Sequence, residues 1–96
     1  MAKKITREEE ALIPAFRGRR EAIRWFRDKY GDDFEMVSTE HYGDEICNFC
    51  VLILNRLEYE ISKKALEHGH LVNGMKFLKT FQQIEIYKGG RIHIVH

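Results

Sequence analysis

Ninety-six residues, 44% hydrophobic and 32% charged, is the composition of one globular domain that builds a core without a metal or disulfide staple. Sixteen Lys/Arg against fifteen Asp/Glu leave a formal charge of +1, which excludes a global electrostatic pull toward nucleic acid or membrane. No apolar run approaches the roughly 18 residues of a membrane span, and no apolar stretch backs Lys3 and Lys4 as in a signal peptide. The expected setting is therefore the cytoplasm, with both cysteines reduced.

Thr6 followed by Glu9 has the spacing of a capping box, so a short helical arm is expected within residues 1–13. Pro14 suits a first helical position, and the main helix is predicted from there to Tyr30, with Gly31 as its left-handed stop. On a helical wheel Phe16, Ile23, Phe26 and Tyr30 fall together, flanked by Ala15 and Ala22, as the core face. Residues 34–39 alternate and are rich in β-formers, which predicts a strand; His41-Tyr42-Gly43-Asp44 reads as a turn. The uncharged run from Ile46 to Leu54 fits either a buried strand or part of a long helix. The strand is preferred, because Asn55 with Glu58 three residues on then caps a second helix that Gly69 ends.

Asn73-Gly74 signals a turn, and Met75 to Phe81 is a further candidate strand. The C-terminus reads as a hairpin of residues 83–87 and 91–95. A three-residue loop with Gly90 left-handed puts Ile84, Ile86, Ile92 and Ile94 on one face and sets Glu85 across from His93. The expectation is a single α+β domain over residues 1–96: a small antiparallel sheet with two helices packed on one face, in the order α-β-β-α-(β)-β-β.

The charges are unevenly spread. Residues 1–29 carry a net +4, residues 30–55 contain six acids and no Lys or Arg, and residues 56–96 carry a net +3. Within the first block Arg17, Arg20, Arg24 and Arg27 lie within about 80° of one another on the wheel. Like charges at these spacings cost a helix a few tenths of a kcal/mol each, so a counter-charge is expected. The acids at 32–45, with Glu21 and Asp28, offer one inside the fold, and composition favours that arrangement. An acidic protein surface or a phosphate backbone offers one outside. Trp25 falls about 160° from Ile23, where a neighbouring segment covers it or it stands exposed as an interface anchor.

Cys47-Asn48-Phe49-Cys50 has zinc-ligand spacing, and His68 with His70, or His93 with His96, could supply two more ligands. On a strand, however, positions 47 and 50 face opposite sides, and two buried thiols is the simpler expectation, with no metal and no cofactor. Neither Ser38 nor Ser62 sits in a nucleophile elbow, and no glycine-rich phosphate loop occurs, so no enzyme activity is expected. Chains of this size without an active site are frequent among accessory and inhibitory proteins of mobile elements, a matter of base rate and not of any residue here. The leading expectation is a small regulatory protein that binds an acidic protein partner through Arg17, Arg20, Arg24, Arg27 and Trp25. The alternatives are nucleic-acid binding by the same arginines with Lys3, Lys4 and Arg7, or a zinc-binding domain. The terminal strand, if it lies at the sheet edge, could pair two copies into a homodimer.

Overall fold

A computed structural model describes residues 2–70 and 74–96. The core is a four-stranded antiparallel sheet whose strands lie side by side in chain order: β1 (Phe34–Tyr42), β2 (Glu45–Ile53), β3 (Phe81–Tyr87) and β4 (Ile92–Ile94). Among the described residues four α-helices accompany it: α1 (Arg7–Ala11), α2 (Arg19–Tyr30), α3 (Arg56–Glu67) and α4 (Gly74–Leu78). The α+β class and the antiparallel sheet are as expected. Among the described residues no helix is long and apolar enough to cross a membrane.

Local chemistry sets most boundaries. The Thr6–Glu9 capping box forms in both directions and starts α1. Residues 45–53 are strand, and Asn55 then caps α3 by accepting the Glu58 amide at 3.1 Å. That cap is one-sided. The Asn55 amide donates to Thr80 instead, tying α3 to the start of β3. The C-terminal hairpin adopts the three-residue loop, with Gly90 at φ 91° and Ile84 opposite Ile94, Glu85 opposite His93, and Ile86 opposite Ile92. All four isoleucines therefore share a face.

Four expectations are corrected. The main helix starts at Arg19, not Pro14: Gly18 is fully extended (φ −168°), and residues 14–18 are non-helical chain that passes against the β3–β4 loop at Gly90. Residues 75–78 belong to α4, and β3 begins only at Phe81; the Asn73 half of the turn signal lies outside the described residues. The strand at 34–39 continues to Tyr42, confining the β1–β2 turn to Gly43 and Asp44. The helices do not share one face. Leu52 and Cys50 join Phe26, Ile84 and Ile94 beneath α2, whereas Val51 and Ile53 pack with Tyr59 of α3 and with Phe77 and Phe81. The cause is β2 itself: its unbroken apolar run puts large side chains on both sides of the pleat, and each side needs a cover.

The segment preceding α2 is bound to the β3–β4 part of the sheet, on the same face as the helix. Ile5, 1% exposed, donates its amide to Gln82 Oε1 at 2.7 Å and accepts from Gln82 Nε2 at 3.1 Å; the same Nε2 also reaches the Val95 carbonyl. Gly90 lies against the backbone of Phe16 and Gly18, so close that a Cβ there would sit 2.7 Å from the Phe16 carbonyl oxygen.

Candidate interaction surface

The helix α2 is held by its Ala22–Phe26 centre, both side chains fully buried. Phe26 stacks on Phe34, the first residue of β1. Two contacts fix the direction in which the helix runs. At its C-terminal end Arg27 lines a groove with Phe34 and Glu35. At its N-terminal end Arg19 Nη1 donates to Asn48 Oδ1 at 3.3 Å, and Asn48 in turn donates to Thr39 Oγ1 at 2.8 Å. The helix therefore runs antiparallel to β1 over the sheet face, touching both β1 and β3, and the free flank of β1 is the edge of the sheet.

With Ala22 and Phe26 as the buried centre, Arg20, Arg24 and Arg27 fall within about 60° of one another on the opposite, outer side. All three are exposed. They line a groove of about 420 Å³ with Ile23, Asp28 and Met36, between the helix and β1. Among the described residues none of the ion pairs involves them. Asp33 pairs with Arg56, Glu60 also with Arg56, Glu58 with Lys76, Glu85 with His93 and Glu10 with His96. The acidic stretch expected to neutralise the stripe sends its one described ion pair to α3 instead.

Two predicted members of the site stand apart from it. Arg17 precedes α2 and is exposed on the extended segment, not on the helix. Trp25 is packed, not an open anchor: it meets Phe26 edge-on at 5.0 Å and Phe16 at 5.9 Å, and the Lys29 ammonium lies 5.0 Å over its ring. The reason is the late helix start. Phe16 reaches the core from the non-helical segment, the buried centre shifts from Ile23 to Ala22 and Phe26, and Trp25 becomes the covered flank. It lies roughly 100–160° around the helix from the arginines, so the two form no common surface.

Arg19 and Asn48 belong to no motif. Asn48, 2% exposed, is a polar residue in an apolar run, and its amide is satisfied by Thr39, Met36 Sδ and Arg19 together. That network fastens the N-terminal end of α2 to the sheet and so holds the arginine row beside β1. An interruption of a buried run by a residue needing several partners is the one clue that could have found it.

The cysteines sit on opposite faces of β2, Cys47 across from Tyr87 and Cys50 across from Ile84, both buried and free. Burial pushes the Cys50 thiol up to about 12 and the Cys47 thiol also upward, so neither is a ready thiolate at neutral pH. His68 is engaged with the Lys64 carbonyl, His93 with Glu85 and His96 with Glu10. Among the described residues no three His, Cys, Asp or Glu side chains converge as metal ligands would. β4 is a sheet edge, but it is three residues long. Compared with protein-family models, with curated proteins and with solved structures, the chain matches none.

Proposed function

We propose that this protein works by occupancy, holding an acidic protein partner against the arginine side of α2, without chemistry of its own. The observation that carries the reading is the row of Arg20, Arg24 and Arg27, exposed along one groove and, among the described residues, in no ion pair, while Asp33, Glu58 and Glu60 pair with other basic side chains. Three neighbouring guanidiniums repel one another and present forked donors matched to carboxylates. A ligand carrying carboxylates relieves the repulsion and satisfies the donors together.

A protein fits this groove better than a nucleic acid does. Asp28 lines it, and Asp32 and Glu35 line the adjoining one beside Arg27. A continuous phosphate backbone would run into those carboxylates, whereas a peptide places its acids singly. The remaining positive charge is scattered, and the total is only +1. A regulatory protein of the inhibitory kind is one form such a binder takes.

Fluorescence anisotropy with a labelled acidic peptide and a labelled DNA duplex, from about 50 to 200 mM salt, tests this. The peptide is expected to bind and to lose at least about tenfold in affinity to the Arg20→Glu/Arg24→Glu variant, about one charge-assisted hydrogen bond's worth. Tighter binding of the duplex, falling log-linearly with salt and abolished by the same variant, would replace this reading with nucleic-acid binding. Peptide affinity unchanged in the variant would refute both.

A further inference from the structure

We infer that the partner segment binds as an added strand: an extended, acid-bearing chain that pairs with the free edge of β1 and sets its carboxylates against Arg20, Arg24 and Arg27. The inference rests on the reading above and adds the conformation of what is bound.

The edge is available. β1 is nine residues long and ends the sheet. The direction of its backbone groups follows from its neighbours. Lys88 donates its amide to the Ile46 carbonyl at 3.0 Å, so the backbone of Ile46 turns toward β3. By alternation Cys47 turns toward β1, which makes its partner Glu40 an inward residue and leaves Thr39 and His41 facing out. Among the described residues no backbone or side-chain group bonds their outward amides and carbonyls.

The charge lies where an added strand would place its side chains. Thr39 sits on the α2 side of the sheet, opposite Asn48, and the arginine groove reaches Met36 of the same strand. Arg20 and Arg24 are separated by about 6 Å along the helix axis, from a rise of about 1.5 Å per residue. Alternate side chains of a strand are separated by about 6.6 Å. Acids at every second position therefore meet successive guanidiniums, while the backbone takes up the open hydrogen bonds, the mode known as β-augmentation.

A second copy of this chain is the wrong occupant. Two β1 edges joined about a two-fold axis would bring two α2 helices side by side on one face, arginine row against arginine row. The register irregularity between Met36 and Ser38, with Val37 exposed, adds a bulge that discourages indiscriminate edge pairing. The guanidiniums are then what select the partner.

The probe is a labelled peptide of about ten residues alternating Glu and Thr, compared with the same peptide N-methylated at every second amide. N-methylation keeps the charge and removes the strand's hydrogen bonds. The parent is expected to bind wild-type protein, with about tenfold loss on N-methylation and a similar loss for His41→Pro, which removes an outward amide that the sheet does not use. Equal affinity of both peptides, each still weakened by Arg20→Glu/Arg24→Glu, overturns strand addition and leaves the charge reading standing. Indifference of both peptides to the reversal overturns both. A concentration-dependent dimer in sedimentation that the peptide cannot dissociate makes the edge a self-interface and overturns the inference.

Discussion

Replacing Gln82 with Leu tests how the N-terminal arm is held. The side chain is 2% exposed and makes three hydrogen bonds, two to the Ile5 backbone and one to the Val95 carbonyl. Leu has nearly the same volume, so the cavity term is small and the loss is polar. Each neutral hydrogen bond contributes about 1 kcal/mol net, and leaving the Ile5 amide and carbonyl buried without partners adds about 1–3 kcal/mol per group. That sum would exceed the cost of letting go. If the arm detaches, those groups reach water; the losses are the three net hydrogen bonds, about 3 kcal/mol, and the burial of Ile5, about 2 kcal/mol, offset in part by about 2 kcal/mol of chain entropy regained. The cheaper route wins, so the net destabilisation is about 3 kcal/mol, and it shows itself as local release. Urea unfolding gives the total, and hydrogen exchange at the Ile5 amide gives the mechanism. The amide is expected to exchange at close to the unfolded rate in Gln82→Leu while the amides of β2 and β3 stay protected. An unchanged urea midpoint with Ile5 still protected would refute the claim that Gln82 holds the arm.

Three further outcomes follow from the same geometry. Gly90→Ala forces a left-handed φ on a residue with a Cβ and drives that atom into the Phe16 backbone, so it is expected to lower stability by about 3 kcal/mol in urea titration. Arg24→Gln removes the i,i+4 and i,i+3 repulsions with Arg20 and Arg27 but also the attractions to Glu21 and Asp28 at the same spacings, so stability is expected to change by less than about 0.5 kcal/mol while the acidic peptide is weakened; a clearly destabilised variant in urea titration would mean the row is neutralised within the fold. The Cys50 thiol ionises near its ordinary value of 9.0 when unfolded but only at about 12 when folded, so its contribution is intact below pH 9 and declines as pH rises from 9 toward 12. Stability should fall more steeply over that range in wild type than in Cys50→Ala, whatever the variant's starting stability, and parallel slopes would contradict the assignment.

What could be read from the sequence was whatever a few neighbouring residues decide. The Thr6 and Asn55 caps, the Gly90 loop and the isoleucine register all depend on spacings of two to five residues, and all stand in the structure. The start of α2 did not, because Pro14 fits a helix N-terminus as well as it fits a non-helical segment, and only the packing of Phe16 into the core and against Gly90 decides between them. That single misplacement also put Trp25 on the wrong side. The two-sided core was hidden for a different reason: Ile46 to Leu54 shows no period, and an aperiodic apolar strand says that both faces are covered without saying by what. Of the candidate site, the arginine spacing was visible. The open edge beside it was not, since edge position is a property of strand order and β1 has no local mark of it.

The meander order bears on how the chain folds. Each strand pairs with its sequence neighbour, and the β1–β2 and β3–β4 turns close over two or three residues, so these hairpins need almost no loop ordering before contacts reward it. The contact between Ile5 and Gln82 spans 77 positions and requires a sheet already in place to receive it. Docking of the N-terminal segment is accordingly a late event on the folding route, and changes to it should quicken unfolding while leaving the refolding rate nearly untouched. The chain's earliest residues are thus the last to settle, and they govern how long the native state endures more than how fast it is reached.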